Sequence, residues 1–253
     1  MSNDVKLIPW DANDDNHFNR LHEQQAALGW FPPVTETWRS KQLAGERVFF
    51  WIVSRQLPLY MQGLERLNCS KALSEQCVGR EVLLEKHFSE YPADRPPIYD
   101  TARKVLHVSR TASEEAFHPL GYVALDSKPP TPADARDLPV STWWIKSLYV
   151  SWALQNNGIG KKAMNALERV AVVAPFNATQ LALEAITKEF ANDEVYLARM
   201  YDEKGLPRPS KTNEEWYKGL GYVEMDRLRS DNWSPNGDGE TVDVPLIRMR
   251  RIW

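Results

Sequence analysis

The stretch YVSWALQNNGIGKKAMNALERVA, residues 149–171, decides how this chain is read. An apolar run ends at Tyr149 and Val150, and a helix-forming pattern follows. Between them stands Gln155-Asn156-Asn157-Gly158-Ile159-Gly160. Two glycines at a helix start lower stability, because each loses more backbone freedom on folding than any other residue. They are justified if something must come close to the backbone there. Amides at a helix N-terminus point outward without intrahelical partners, and the helix dipole adds partial positive charge. Together these make an anion site whose usual occupant is phosphate. Lys161 and Lys162 add charge at the same point. The helix is predicted from about Gly160 to Ala174, with Ala163, Leu167, Val170 and Ala174 as its apolar stripe and Pro175 as its stop.

Two general phosphate motifs compete for this loop. A P-loop has glycine where Gln155 stands, and Ser or Thr after its lysine, where Lys162 follows Lys161. That motif is rejected. A dinucleotide fingerprint is closer, because Gly158, Gly160 and Ala163 match G-x-G-x-x-A and Glu184 ends a following strand. Yet Ser151–Asn157 separate the strand from the turn, and no second βαβ unit is evident. A nucleotide-dependent oxidoreductase therefore stands as the third functional reading.

Outward from the loop, STWWIKSLYVS before it and TQLALEAIT after it read as strands, and LGYVALD as another upstream. KVLHVSR is a further strand candidate, and KPPTPADARDLP a Pro-rich surface loop. Downstream, NDEVYLARMYDEKG predicts a helix capped by Asn192 and stopped by Gly205. TNEEWYKGLG predicts a short helix capped by Thr212 or Asn213, and YVEMDRL and VPLIRMRRI close the chain as strands. Near the start, VKLIPW reads as a short strand. NDDNHFNRLHEQQAALGW reads as a helix with Phe18, Leu21 and Ala26 inward. TETWRSKQLAGERVFFWIVSRQLPLYMQG begins as a helix, and SKALSEQCVGREVLLEKHFSEY is partly helical. Strands alternating with helices in the second half indicate an α/β or α+β fold.

Composition sets the outer limits. The chain has 253 residues, a net charge of −3 and an ordinary apolar share of 43%. The near-neutral charge speaks against a polyanion-binding surface, so no nucleic-acid partner is expected. Arg248, Arg250 and Arg251 read as a solvated strand face. Cys69 and Cys77 fit neither a zinc ligand set nor a disulfide framework, which leaves free thiols in a reducing compartment and no metal. No signal pattern opens the chain and no apolar run nears the ~20 residues of a membrane span. The expected location is the cytosol or the nucleus, without membrane attachment. The 10 tryptophans read as core packing, with a few left over to line an apolar pocket.

A third phosphate motif fits the loop better. Gln155-Asn156-Asn157-Gly158-Ile159-Gly160 resembles the Gln/Arg-x-x-Gly-x-Gly/Ala pyrophosphate loop of the GNAT superfamily, the acyl-CoA N-acyltransferases. The preceding Leu148-Tyr149-Val150 resembles that family's fourth strand, and WYKGLGYVEM its Tyr-x-x-x-Gly-Phe/Tyr element. The resemblance covers Leu120 to about Met225. It implies one GNAT-like domain over residues 1–253, with residues 1–103 as a helical, acceptor-side portion and 104–253 as the acetyl-CoA-binding core. The implied fold is a splayed mixed central sheet flanked by helices. The backbone of Leu148, Tyr149 and Val150 would pair with the pantetheine arm. The amides of Gln155, Asn156, Asn157, Gly158, Ile159, Gly160 and Lys161 would hold the pyrophosphate of acetyl-CoA.

A primary amine would then attack the thioester directly, which needs a neutral amine and a proton for the departing thiolate. Tyr217, at the family's tyrosine position, is the candidate proton donor, and Tyr201 in YDEKGL is its rival. Glu184 is the candidate base. Some family members carry a base on the fourth strand, but the aligned position lies near Trp144, which cannot serve. His107 and His118 read as structural, and His17, His22 and His87 as helical surface residues. The acceptor reading favours a small-molecule amine. Its alternatives are a protein or peptide amine, or a CoA-binding protein without turnover.

Overall fold

The computed structural model describes residues 5–28, 33–54, 84–129, 138–233 and 242–253. The chain divides into two compact units, Met1–Ser127 with Ser147–Phe176 and Lys128–Lys146 with Asn177–Trp253. The predicted mixed sheet flanked by helices is present, with seven strands.

The first unit opens with β1 (Val5–Pro9), α1 (Asp15–Leu28), α2 (Pro33–Leu43) and β2 (Arg47–Ser54). Residues 84–90 form α3. Then come β3 (Gly121–Asp126), the second half of β4 (Thr142–Val150) and α4 (Ile159–Ala171). β1 pairs with β2 and β2 with β3, both antiparallel. Every residue of RVFFWIV in β2 and GYVALD in β3 is buried. A strand covered on both faces reads as an unbroken apolar run instead of an alternation. Trp10, Trp38, Phe49, Trp51, Tyr122 and Tyr149 pack into one core cluster. Within it Arg47 forms a buried two-pronged pair with Asp126, at 2.5 and 2.6 Å.

The second unit holds the first half of β4, β5 (Gln180–Ile186), α5 (Lys188–Ala191), α6 (Glu194–Met200), α7 (Asn213–Gly219), β6 (Val223–Trp233) and β7 (Val242–Ile252). β4 and β5 are parallel, with Thr142–Trp144 opposite Gln180–Ala182. A parallel pair needs a long crossover, and α4 lies in it. β7 runs antiparallel between β5 and β6. The three strand arginines expected to face solvent are half-buried instead: Arg248 pairs with Asp226 on β6, Arg251 donates to the Leu220 carbonyl at 2.8 Å, and Arg250 Nε is buried without a hydrogen-bond partner among the described residues.

Several local expectations need correction. The inner face of α1 consists of His17, Arg20, Leu21, Gln24 and Gln25, and Ala26 is exposed. That face is helical in spacing but polar in content, so apolar periodicity misses it. α4 ends at Ala171, before Ala174, because the residue ahead of a proline avoids the helical region. Its buried stripe includes Ile159, Ala163, Met164, Leu167 and Ala171, with Val170 half-exposed. Asp193, not Asn192, caps α6, accepting from the amides of Val195 and Tyr196 at 2.9 and 3.1 Å. KVLHVSR is two two-residue strands, Lys104–Val105 and Val108–Ser109, turning at Leu106 with φ 54°. Trp30, Cys69, Cys77 and the Pro-rich stretch 130–137 lie outside the described residues. No helix among the described residues is long and apolar enough to cross a membrane.

Candidate active site

β4 stops at Val150, and a single 3-10 turn, Trp152–Leu154, leads into the loop. The exit is fixed, since Ser151 N–H donates to the Leu120 carbonyl at 2.9 Å. A Cβ added to Gly121 would lie 2.0 Å from the Tyr149 carbonyl oxygen, so only glycine fits beside that strand. Ser147, inside β4, has φ 56°, a left-handed conformation that a serine adopts only at some strain.

In the loop, Asn156 and Gly158 both take positive φ, 63° and 73°. Gly158 is the N-cap of α4 and has no side chain with which to cap it. Lys162 N–H donates to the Gly158 carbonyl at 3.2 Å, so the helix amides ahead of it have no acceptor one turn back. A Cβ at Gly158 would meet no atom within 4 Å. The space beside the N-cap is therefore open. The loop is braced by its own side chains. Asn157 Nδ2 donates to the carbonyls of Leu154 and Gln155 at 3.2 and 3.0 Å. Gln155 Nε2 donates to the Val150 carbonyl at 3.3 Å. The side-chain amides thus hold the loop. The Gln155 amide, predicted to face pyrophosphate, donates instead to the Trp152 carbonyl at 3.3 Å, because it closes the 3-10 turn. The amides of Asn156–Lys161 have no backbone acceptor among the described residues. Ile159 and the stripe behind it seat α4, which packs against β1. Lys161 and Lys162 form no ion pair among the described residues.

Residues 80–200 match the model of the acetyltransferase (GNAT) family. That stretch is similar to a GNAT domain. The match takes in β4, the braced loop, α4 and β5, and ends before α7. Among solved structures, an aminoglycoside 6'-N-acetyltransferase complexed with coenzyme A is 12% identical, covering 98% of this chain and 96% of its own, with a TM-score of 0.48. The Enterococcus faecium aminoglycoside 6'-N-acetyltransferase is 13% identical, with 98% and 96% covered and a TM-score of 0.47. Arabidopsis thaliana NAA60 in complex with acetyl-CoA is 12% identical, with 98% of each chain covered and a TM-score of 0.48. No curated protein sequence matches this one.

The other predicted residues of the GNAT reading fall as follows. Leu148 is half-buried on β4, and Tyr149 and Val150 are buried. Tyr217 sits on α7, which a capping box starts: Thr212 Oγ1 accepts from the Glu215 amide at 3.3 Å, and Glu215 accepts from the Thr212 amide at 3.1 Å. Tyr217 is buried, with Trp216 and Tyr222 edge-on at 4.9 and 5.8 Å. Burial pushes its phenol pKa up, which keeps the hydroxyl protonated. Tyr201 follows α6 and is also raised by burial. Glu184, on β5, accepts from Lys146 Nζ at 2.9 Å. One oxygen of that carboxylate is thus engaged, leaving Oε1 for any proton transfer.

Two histidines read as surface residues are buried instead. His17 is fully buried: its Nδ1 accepts from the Asp11 amide and from Trp51 Nε1, both at 3.0 Å. Two donors at Nδ1 leave Nε2 to donate to the Tyr99 carbonyl at 2.7 Å. Burial lowers the His17 pKa. His87, on α3, is bonded to Ser151 Oγ at 2.8 Å and lies 3.0 Å from Asp94 Oδ2. Asp94 also lies 3.1 Å from Arg20 Nε and accepts from Gln24 Nε2 at 3.0 Å. His118 is buried, with its pKa lowered by burial. His22 Nδ1 lies 3.5 Å from Thr35 Oγ1, and neither His22 nor His107 has an ion pair among the described residues. A sequence signal existed for α1, since His17, Arg20, Gln24 and Gln25 share a helix face, but polar residues there read as solvent-facing.

Proposed function

We propose that this protein transfers an acetyl group from acetyl-CoA to a primary amine, with a small molecule as the acceptor. The observation that carries this reading is the start of α4: amides without backbone acceptors behind a left-handed Gly158, open space beside that glycine, and side chains used for bracing. Amides and helix dipole together favour a pyrophosphate there, and the backbone amides of Asn156–Lys161 would hold it, the Gln155 amide being bonded to the Trp152 carbonyl. The backbone of Leu148–Val150 would pair with the pantetheine arm. The amine nitrogen attacks the thioester carbonyl, an N–C bond forms, the C–S bond breaks, and the proton lost by the amine balances the one gained by the thiolate. Tyr217 supplies the thiolate's proton, and Glu184 draws the amine's proton off through one water.

Calorimetry of the whole protein with acetyl-CoA and with NADH tests this reading. Acetyl-CoA is expected to bind and NADH not to. Binding of NADH alone would move the loop to the dinucleotide class.

A further inference from the structure

A cavity of about 230 Å³ opens in the first unit between α1 and the turn after α3, with Glu23, Gln24, Glu90, Tyr91, Asp94 and Tyr149 among its walls. Its polar groups are unusually one-sided. Gln24 is 3% exposed, and its Nε2 donates to Asp94 Oδ2 at 3.0 Å and to the Pro119 carbonyl at 3.1 Å. Both partners are pure acceptors, which fixes the amide's orientation. Gln24 Oε1 is then a buried acceptor with no donor. The phenols of Tyr91 and Tyr149 both have their pKa values raised, chiefly by burial, so their hydroxyls stay protonated.

The charge is one-sided as well. Three carboxylates line the cavity: Asp94 is engaged by Arg20 Nε at 3.1 Å, His87 Nε2 at 3.0 Å and the Gln24 amide, while Glu23 has only the shared Arg20 Nε at 3.5 Å, so the excess charge lies with Glu23 and Glu90. Arg20 also spends its terminal nitrogens on the carbonyls of Ala93, Asp94 and Pro96. Glu90 has no ion pair among the described residues. A cavity with acceptors to spare, excess carboxylate and tyrosine rings fits a group with several donors, no acceptor and positive charge. An ammonium is such a group.

We infer that this cavity anchors a charged amino group of the acceptor, distinct from the nitrogen that is acetylated, so that the acceptor is a small di- or polyamine. The inference rests on the acetyltransferase reading above. Its second half follows from proton chemistry. Carboxylates around an ammonium raise its pKa and oppose the loss of its proton, whereas the attacking amine must be neutral. One nitrogen cannot serve both ends. The cavity and the strand proposed to carry pantetheine share Tyr149, which places the anchor on that strand's side chain and the cofactor on its backbone.

The test is calorimetry of the wild-type protein and the Glu23→Gln, Glu90→Gln double variant with 1-aminobutane, 1,4-diaminobutane and spermidine, and separately with acetyl-CoA. Both glutamates are exposed, so the fold is kept. The diamine and triamine are expected to bind the wild type at least tenfold more tightly than the monoamine. The double variant should lose at least tenfold for both and leave acetyl-CoA affinity unchanged. Equal affinity for monoamine and diamine, or polyamine binding that ignores the loss of both charges, overturns the anchor. Failure of acetyl-CoA to bind the wild type would instead sink the transferase reading, whatever the amines do.

Discussion

Tyr217 carries the proposed proton delivery. A buried phenol stays neutral and so keeps its proton, and its O–H is bonded most strongly as the C–S bond breaks and charge builds on sulfur. Tyr217→Phe keeps the ring among Trp216 and Tyr222 and removes only the hydroxyl. Turnover is expected to fall about 10²-fold, with the KM for acetyl-CoA little changed. Steady-state rates check this, and Tyr201→Phe should be nearly silent; the reverse pattern would transfer the role to Tyr201. For Glu184, bonded to Lys146 at 2.9 Å, the expectation is a pH effect. Glu184→Gln should slow acetylation most at acidic pH and progressively less toward the amine's own pKa. A pH–rate profile parallel to wild type at every pH would exclude it as the base. His17 makes a stability prediction. Its folded pKa lies below its ordinary value of about 6.5, so the unfolded chain takes up a proton first as the pH falls. Stability present above that pH is lost below it, down to the folded pKa. Melting temperatures between pH 7 and pH 5 should fall less steeply in His17→Gln than in wild type. His118, shifted the same way, leaves a residual slope. An unchanged slope would contradict this.

The loop and α4 work together as one element. Gly160 is the second residue of α4, and a valine there would set a branched Cβ beside the amides proposed to meet pyrophosphate. Gly160→Val should weaken acetyl-CoA binding at least tenfold, about 1.4 kcal/mol, with the circular dichroism spectrum kept. Calorimetry showing wild-type affinity would remove the loop from the binding account. The glycine pair and the strand–loop–helix order were legible in the sequence, because glycine at a helix start has few explanations. So were β2 and β3, whose burial on both faces writes itself as unbroken apolar runs. The α1 face was not legible, because the terminal nitrogens of Arg20 and the amide nitrogen of Gln24 are held by carbonyls and a carboxylate some seventy and more positions away. Periodicity measures apolar burial alone, and a polar residue buried by distant partners looks like one facing water. The α6 start failed for a smaller reason: Asn192 and Asp193 are adjacent and equally good caps, and only backbone geometry chooses between them.

For the chain as a whole, the near-neutral charge and the family match to residues 80–200 leave one activity as the most economical reading. It makes three demands: acetyl-CoA must bind, its thioester must be consumed, and an amine must be required. A release assay for the free CoA thiol meets all three at once. Purified full-length protein is mixed with acetyl-CoA, with and without 1,4-diaminobutane, and the product amine is weighed by mass spectrometry. The account predicts amine-dependent thiol release, with one acetyl group gained by the amine for each thiol freed. Acetyl-CoA that binds but yields no thiol above the protein-free rate, with this diamine or any other amine, would contradict it and leave a CoA-binding protein without turnover.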